Sequence, residues 1–309
     1  MHDTGVLVIG SITADVTAFA DRLPLPGETV LGNDFTLVLG GKGANQAVAA
    51  AHFSTPTWMV GCIGQDPFAD LTSSGLKEHG VRTELLRRVP GSTGVAHIRV
   101  NADGQNDIVI TPLANASLNE ADVDQALETL RGKVGVLLLQ LEVRSEITAY
   151  AARAGRGAGL TVVLDPAPAV PVPEQVWADL DIVTPNESEA AVITGIAVND
   201  VASAEQAGRW FLERGTRQAI ITLGSLGAVV VEDSASLHFG PFPVSTVDTT
   251  AAGDAFTGTL GAALANGANV AVAVRHGMAA GALAVTKAGA SPSLPTRQEV
   301  LDLMATTSV

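Results

Sequence analysis

Short apolar runs alternate with stretches of helical length along most of the chain, and this alternation restricts the fold more than any other feature. The runs are Val6–Ile9, Thr57–Val60, Val134–Gln140, Leu160–Leu164, Ile182–Thr184, Ala219–Thr222 and Ala228–Val231. Several are apolar at nearly every position, as expected for strands covered on both faces of a parallel sheet. Between them, Ala44–His52, Phe68–His79, Glu120–Leu130, Arg144–Arg156, Glu187–Thr194 and Ala202–Arg214 read as helices. Asn119 ahead of Asp122, and Ser145 ahead of Thr148, give only weak start signals. The order predicts an α/β fold: a doubly wound, mostly parallel sheet with helices on both faces and right-handed crossovers.

Two regions, 16–39 and 93–111, break the alternation and read as strands with turns. Leu23-Pro24-Leu25-Pro26-Gly27 is a turn, and Asn101-Ala102-Asp103-Gly104 a hairpin loop between Val95–Val100 and Asp107–Thr111. A satellite sheet built from them lacks a core of its own, so it must cover something: a site, as a lid, or a dimer surface. Ala255–Val274 carries no charge and is long enough to span a bilayer, but Asn266, Gly267 and Asn269 interrupt it. Two buried helices with a turn at Asn266–Asn269 fit better. Length does not force a split, because large α/β domains exceed the usual size, and no linker or repeat divides the chain; one domain over 1–309 is expected.

Apolar residues make up 47% of the chain and charged ones 16%, the reverse of a disordered composition. The formal charge of −14 repels nucleic acid and anionic membranes alike, so neither is an expected partner. A phosphorylated ligand is still compatible where backbone amides supply a local positive field. The single cysteine, Cys62, excludes an internal disulfide and a cysteine zinc site, and suits a reducing cytoplasm. Met1–Gly10 has neither a basic start nor a long apolar stretch, so no address segment is expected.

Chemistry-bearing residues gather mainly after the strands, where ligands bind in open α/β sheets. Gly40-Gly41-Lys42-Gly43-Ala44-Asn45-Gln46 combines turning freedom, close backbone approach and two polar side chains at a helix start near Ala44. Its spacing is not that of a Walker loop. Gly10-Ser11-Ile12-Thr13-Ala14-Asp15 follows the first strand without the dinucleotide fingerprint, which disfavours a dehydrogenase; Asp15 could accept from sugar hydroxyls or serve as a turn carboxylate. In Thr246–Phe256, the small residues Ala251, Ala252 and Gly253 open a helix whose unpaired amides would form an anion hole. Asp254, in that first turn, suits a general base beside the anion site, or a helix-start carboxylate complementing the dipole. Asn186 and Glu189 share a helix face and could hold hydrated Mg2+. Gly224 and Gly227 in Thr222-Leu223-Gly224-Ser225-Leu226-Gly227 would let a nucleotide lie against the backbone.

At this point the sequence resembles the ribokinases, within the phosphofructokinase-B-type sugar kinases. Gly40–Ala50 is similar to that family's N-terminal signature and Asp248–Phe256 to its C-terminal one. Leu139-Gln140-Leu141-Glu142, Asp165-Pro166-Ala167-Pro168, Thr184-Pro185-Asn186-Glu187 and Thr222-Leu223-Gly224-Ser225 fall between them in the family's order. The resemblance runs from about Val6 to Pro295 and implies a ribokinase-like core with a β lid that forms a homodimer contact. It implies transfer of the γ-phosphoryl of ATP to the 5-hydroxyl of D-ribose. It places Thr13, Asp15, Gly41, Lys42, Gly43, Ala44, Asn45, Glu142 and Asp254 at the sugar, with Asp254 as base and the Ala251–Asp254 amides as anion hole. Asn186, Thr222–Gly227, Gly253, Asp254 and Met278 would meet ATP. Asn186 with Glu189 would organise Mg2+, while Asp248, Thr250, Ala284, Lys287, Gly289 and Ser293 would hold K+, mostly through carbonyl oxygens.

Three residues depart from the family pattern. Thr13 stands where ribokinases usually carry a sugar-contacting Asn, Met278 where an adenine-facing Asn is common, and Leu113-Ala114-Asn115 where Gly-Ala-Asn is usual. Thr13 keeps open a kinase for 2-deoxyribose, another small sugar or a nucleoside. The alternative of a different class is a non-catalytic sugar or nucleotide sensor.

Overall fold

The computed structural model describes residues 4–306, so Met1–Asp3 of the expected leaderless start, and the ends of the expected 1–309 domain, lie outside the described residues. The main sheet is built from β1 (Gly5–Ile9), β4 (Thr57–Ile63), β5 (Leu86–Arg88), β8 (Val134–Leu139), β9 (Thr161–Leu164), β10 (Ile182–Val183), β11 (Gln218–Thr222), β12 (Ala228–Val231) and β13 (Ser236–Phe239). Its order is β13-β12-β11-β10-β9-β8-β1-β4-β5. Pairing is parallel from β5 to β11, and β12 and β13 close one edge as antiparallel strands. All seven expected strands are present. The two strands missed, β5 and β13, are edge strands of three and four residues. Half-exposed edges lack the continuous apolar signature that marks buried strands.

Helices cover both faces. On one lie α1 (Lys42–His52), α2 (Pro67–Glu78), α7 (Ala252–Ala265), α8 (Val270–Ala284) and α9 (Arg297–Thr306). On the other lie α3 (Glu120–Thr129), α4 (Ser145–Gly157), α5 (Glu187–Thr194) and α6 (Val201–Leu212). Alternate residues of β1 divide between the two cores: Val6 and Val8 face the first, Leu7 and Ile9 the second. The expected weak start at Asn119 is a full capping box, with Asn119 accepting from the Asp122 amide and Asp122 from the Asn119 amide. Ser145, by contrast, lies inside α4, which begins after Arg144 without a side-chain cap.

The uncharged stretch 255–274 becomes α7 and α8, joined by the turn at Asn266–Asn269. Among the described residues no helix is long and apolar enough to cross a membrane. The small residues serve close packing: a Cβ on Gly258 would lie 2.5 Å from the Gln46 carbonyl oxygen, so α7 rests directly against α1. That contact brings the N-terminal signature to the C-terminal one.

The second sheet has the order β3-β2-β6-β7, from β2 (Thr13–Phe19), β3 (Asp34–Gly40), β6 (Gly94–Val100) and β7 (Asn106–Thr111). It is drawn from the two regions that broke the alternation, with β2 beginning earlier than expected, at Thr13, and β3 ending later, at Gly40. β6 and β7 form a hairpin closed over residues 101–105. Phe35, Ile108, Val109 and Ile110 leave this sheet with exposed apolar side chains.

Candidate active site

β1 has β4 on one side and β8 on the other, reached by separate crossovers. This reversal opens a crevice at the strands' carboxyl ends. Into it run the 10–15 segment, the start of α1, the residues after β8 and β9, and the start of α7.

The residues expected at the sugar are held in two hydrogen-bonded groups. Ser11 Oγ donates to Glu142 Oε2 at 2.6 Å, and the Lys42 amide donates to the same oxygen at 2.9 Å. The Gly43 amide donates to Ser11 Oγ at 3.2 Å. Thr13 Oγ1 donates to Asp15 Oδ1 at 2.7 Å. Burial pushes the Asp15 carboxyl up to about 6; the Thr13 hydroxyl opposes this, while Glu142 and Asp254 add to it. A Cβ on Gly43 would lie 2.7 Å from the backbone N and O of Ser11, so a glycine is required where α1 approaches the chain after β1. Gly41 takes a left-handed φ of 91° as α1 begins, at Lys42 rather than near Ala44.

Asp254 is buried at 4% exposure in the first turn of α7. Asn45 Nδ2 donates to its Oδ2 at 3.0 Å, and Gln46 Nε2 to its Oδ1 at 3.2 Å. Lys42 Nζ lies 3.7 Å from Asp254 Oδ1 and 3.6 Å from Asp165 Oδ2. Burial would strip the Lys42 proton, but Asp165, Asp254, Glu142 and Glu189 outweigh it and keep the ammonium charged. Burial raises the Asp165 carboxyl against the pull of Lys42. Asn45 Oδ1 is buried without a hydrogen-bond partner among the described residues, an acceptor waiting for a donor.

The expected anion hole needs one correction. Ala251 holds a left-handed φ of 60°, and the Ala252 amide is spent on the Thr249 carbonyl at 3.3 Å. The Ala251, Gly253 and Asp254 amides have no partner among the described residues, and α7 has no side-chain cap. Gly253 is exposed, with no atom within 4 Å of where its Cβ would sit, which leaves room for an anion.

Of the residues expected at the nucleotide, Asn186 and Thr222 form a parallel bridge. Asn186 and Glu189 do share a face, but as a capping box: Asn186 Oδ1 accepts from the Glu189 amide, and Glu189 Oε2 accepts from the Asn186 amide. Glu189 Oε1 has no hydrogen-bond partner among the described residues, and its charge reaches Lys42 and Asp165. Leu223, Ser225 and Leu226 belong to a tight turn running from Thr222 to Gly227. A Cβ on Gly227 would lie 2.0 Å from the Phe239 carbonyl oxygen, so strand packing already demands that glycine. Met278 is half-buried and packs against the core.

Asp248 ties two loops together. Its Oδ1 accepts from the Thr250 amide and hydroxyl, and its Oδ2 from the Gly289 amide at 2.9 Å. Although burial raises it, the Gly289 and Thr250 donors hold this carboxyl below its ordinary value. The Ala284 carbonyl accepts from the Lys287 amide, whose Nζ pairs with Glu299, and Ser293 Oγ donates to the Ala290 carbonyl. Among the described residues no cluster of three or more His, Cys, Asp or Glu side chains suits a metal ion.

Residues that had no assigned role also converge here. Gln46, Gln140 and Asp165 form a buried chain beside Asp254, and Asn115 clamps the Ile12 amide and carbonyl at 2.9 Å each. Gln140 and Asp165 were detectable as polar residues directly after apolar strands.

The sequence pattern of the pfkB family carbohydrate kinases matches residues 3–297. The chain belongs to this family. It is a kinase that transfers a phosphoryl group to a sugar hydroxyl. It is 39% identical over 298 residues to a ribokinase of Haemophilus influenzae, covering 96% of this chain and 97% of that one. It is 36% identical to a deoxyribokinase of Salmonella typhimurium, covering 95% and 96%. The fold matches ribokinase from Thermotoga maritima with a TM-score of 0.90, at 37% identity over 98% of this chain and 99% of that one. It matches Arabidopsis thaliana ribokinase complexed with ribose and ATP with a TM-score of 0.91, at 34% identity over 98% and 99%. The ribokinase-like fold with its separate small sheet is therefore as expected.

Proposed function

We propose that the chain phosphorylates the 5-hydroxyl of D-ribose, using ATP. One observation carries the reading: Asp254 is a buried carboxylate held by Asn45 and Gln46 beside the partnerless amides that open α7. Asp15, Glu142 and Asn45 would accept from the ring hydroxyls, with the orphaned Asn45 Oδ1 taking one of them. The 5-hydroxyl would lose its proton to Asp254 as its oxygen attacks the γ-phosphorus. The bond from that phosphorus to the β-γ bridging oxygen breaks and ADP leaves. Amides of Ala251, Gly253 and Asp254, with Lys42, would receive the charge on the transferring group.

Asn186 and Glu189 would hold Mg2+ through water or phosphate; the unengaged Glu189 Oε1 suits that role. Asp248, Thr250, Ala284, Lys287, Gly289 and Ser293 would offer oxygens to K+, mostly carbonyls, with the Lys287 side chain itself paired to Glu299. Both ions would supply positive charge near the phosphates. Residues Thr222–Gly227 and Met278 would face the nucleotide. The same reading makes the chain one ribokinase-like unit over 1–309. The exposed apolar residues of the small sheet support pairing with a second copy. The cytoplasm is the proposed location, with no nucleic acid or membrane partner.

Thr13 favours a second reading, 2-deoxyribose as acceptor. Its hydroxyl is committed to Asp15, so it offers the sugar no free donor. A coupled assay of kcat/KM across ribose, 2-deoxyribose, other sugars and nucleosides, with and without Mg2+ and K+, tests both. Preference for ribose supports the first reading and preference for deoxyribose the second. A nucleoside preference refutes both, and ATP consumption without sugar dependence removes sugar kinase activity altogether.

A further inference from the structure

Gln46 is fully buried, and its amide sits between two carboxylates. Nε2 lies 2.8 Å from Asp165 Oδ2 and 3.2 Å from Asp254 Oδ1. The nitrogen edge of Gln46 faces the pair and donates to one oxygen of each acid. Its oxygen then faces Gln140, whose Nε2 donates to it at 2.6 Å. Thr148 Oγ1 donates to the Gln140 carbonyl at 3.0 Å and secures that strand end. One turn earlier on the same helix face, Lys42 Nζ approaches the same two carboxylates. α1 therefore presents a cation and an amide to one pair of acids. Neither Gln46 nor Gln140 belongs to the sugar, nucleotide or ion sets above.

We propose that Gln46 is a positioning residue for phosphoryl transfer: its amide, turned by Gln140, bridges Asp165 and Asp254 and aims the Asp254 carboxylate at the acceptor hydroxyl. The proposal rests on Asp254 being the base. Gln46 fixes Oδ1 and Asn45 fixes Oδ2, so the carboxylate cannot rotate freely about its Cβ–Cγ bond. Its remaining lone pairs stay available to the hydroxyl. Both hydrogens of the Gln46 amide are engaged, so an apolar side chain of the same length fills the space without doing the work. Asp165 completes the frame by holding Gln46, and Lys42 by pairing with Asp165 and Asp254.

The test compares Gln46→Met and Gln140→Met with wild type in steady-state kinetics on the proposed acceptor, with thermal unfolding as a folding control. Met preserves length and volume, so a space-filling role predicts a folded enzyme with kcat unchanged. The positioning role predicts that Gln46→Met lowers kcat on the order of 100-fold while the sugar KM stays within about threefold. Gln140→Met, which touches neither carboxylate, should lower kcat about tenfold by the same route. If Gln46→Met does not fold, the Gln140 variant decides alone. A kcat within about threefold of wild type in a folded variant, or a KM that rises in step with the loss, overturns the proposal. Asp254→Asn run alongside separates the two failures. If it is inactive while Gln46→Met is active, only the positioning role falls; if it is active, the base assignment falls first.

Discussion

Asp15→Asn should stabilise the free enzyme at neutral pH and cripple it as a catalyst. Burial lifts the Asp15 carboxyl from its ordinary 3.8 to about 6. At about 1.4 kcal/mol for each tenfold change in proton affinity, its ionised form destabilises the fold by about 3 kcal/mol. Because the folded-state value is raised, the associated stability is fully present below about pH 4 and is lost as pH rises through about 6. Asn carries no charge to desolvate, and the Thr13 hydroxyl can still donate to its oxygen. The assay is urea unfolding of wild type and variant, without ligands, from pH 5 to 8. The variant should gain on wild type as pH rises, by up to about 3 kcal/mol at pH 8, with the gap narrowing to about half of that at pH 5. In the same pair, wild-type kcat/KM for sugar should fall below about pH 6 as Asp15 protonates, and the variant should lack both that limb and most of the activity. A stability difference independent of pH, or a variant less stable at pH 8, would refute the reasoning.

Gly43→Ala would set a Cβ 2.7 Å from the Ser11 backbone, so it should cost about 1–3 kcal/mol in unfolding experiments. It should also raise the sugar KM by prising α1 from Glu142; an unchanged melting temperature would contradict this. Leu113 occupies a left-handed φ of 47° and is substantially exposed, so Leu113→Gly should stabilise by about 0.5–1 kcal/mol in urea titration. A destabilised variant would show that its side chain matters more than its backbone.

Much of this fold is written locally. Strands such as Leu137–Leu139, buried on both faces, announce themselves by composition, whereas β5, β13 and α9 are peripheral and carry weak patterns. Leu113 became intelligible only through its φ: a left-handed position explains why glycine is usual there. In the site, Asp254, Asn45, Asp15 and Glu142 stood out because each follows a strand or opens a helix. The Gln46 bridge did not, because its partners lie 94, 119 and 208 residues away in sequence. No periodicity reports which way a buried amide turns. The capping role of Asn186 was likewise hidden, since one spacing suits both a capping box and a pair of ion-holding side chains.

The proposed phosphoryl transfer turns on proton removal by the carboxylate at the start of α7. Asp254→Asn should bind the sugar with a Kd within about threefold of wild type by calorimetry, while kcat falls on the order of 100- to 10,000-fold. Turnover within a few-fold of wild type by that variant would contradict it.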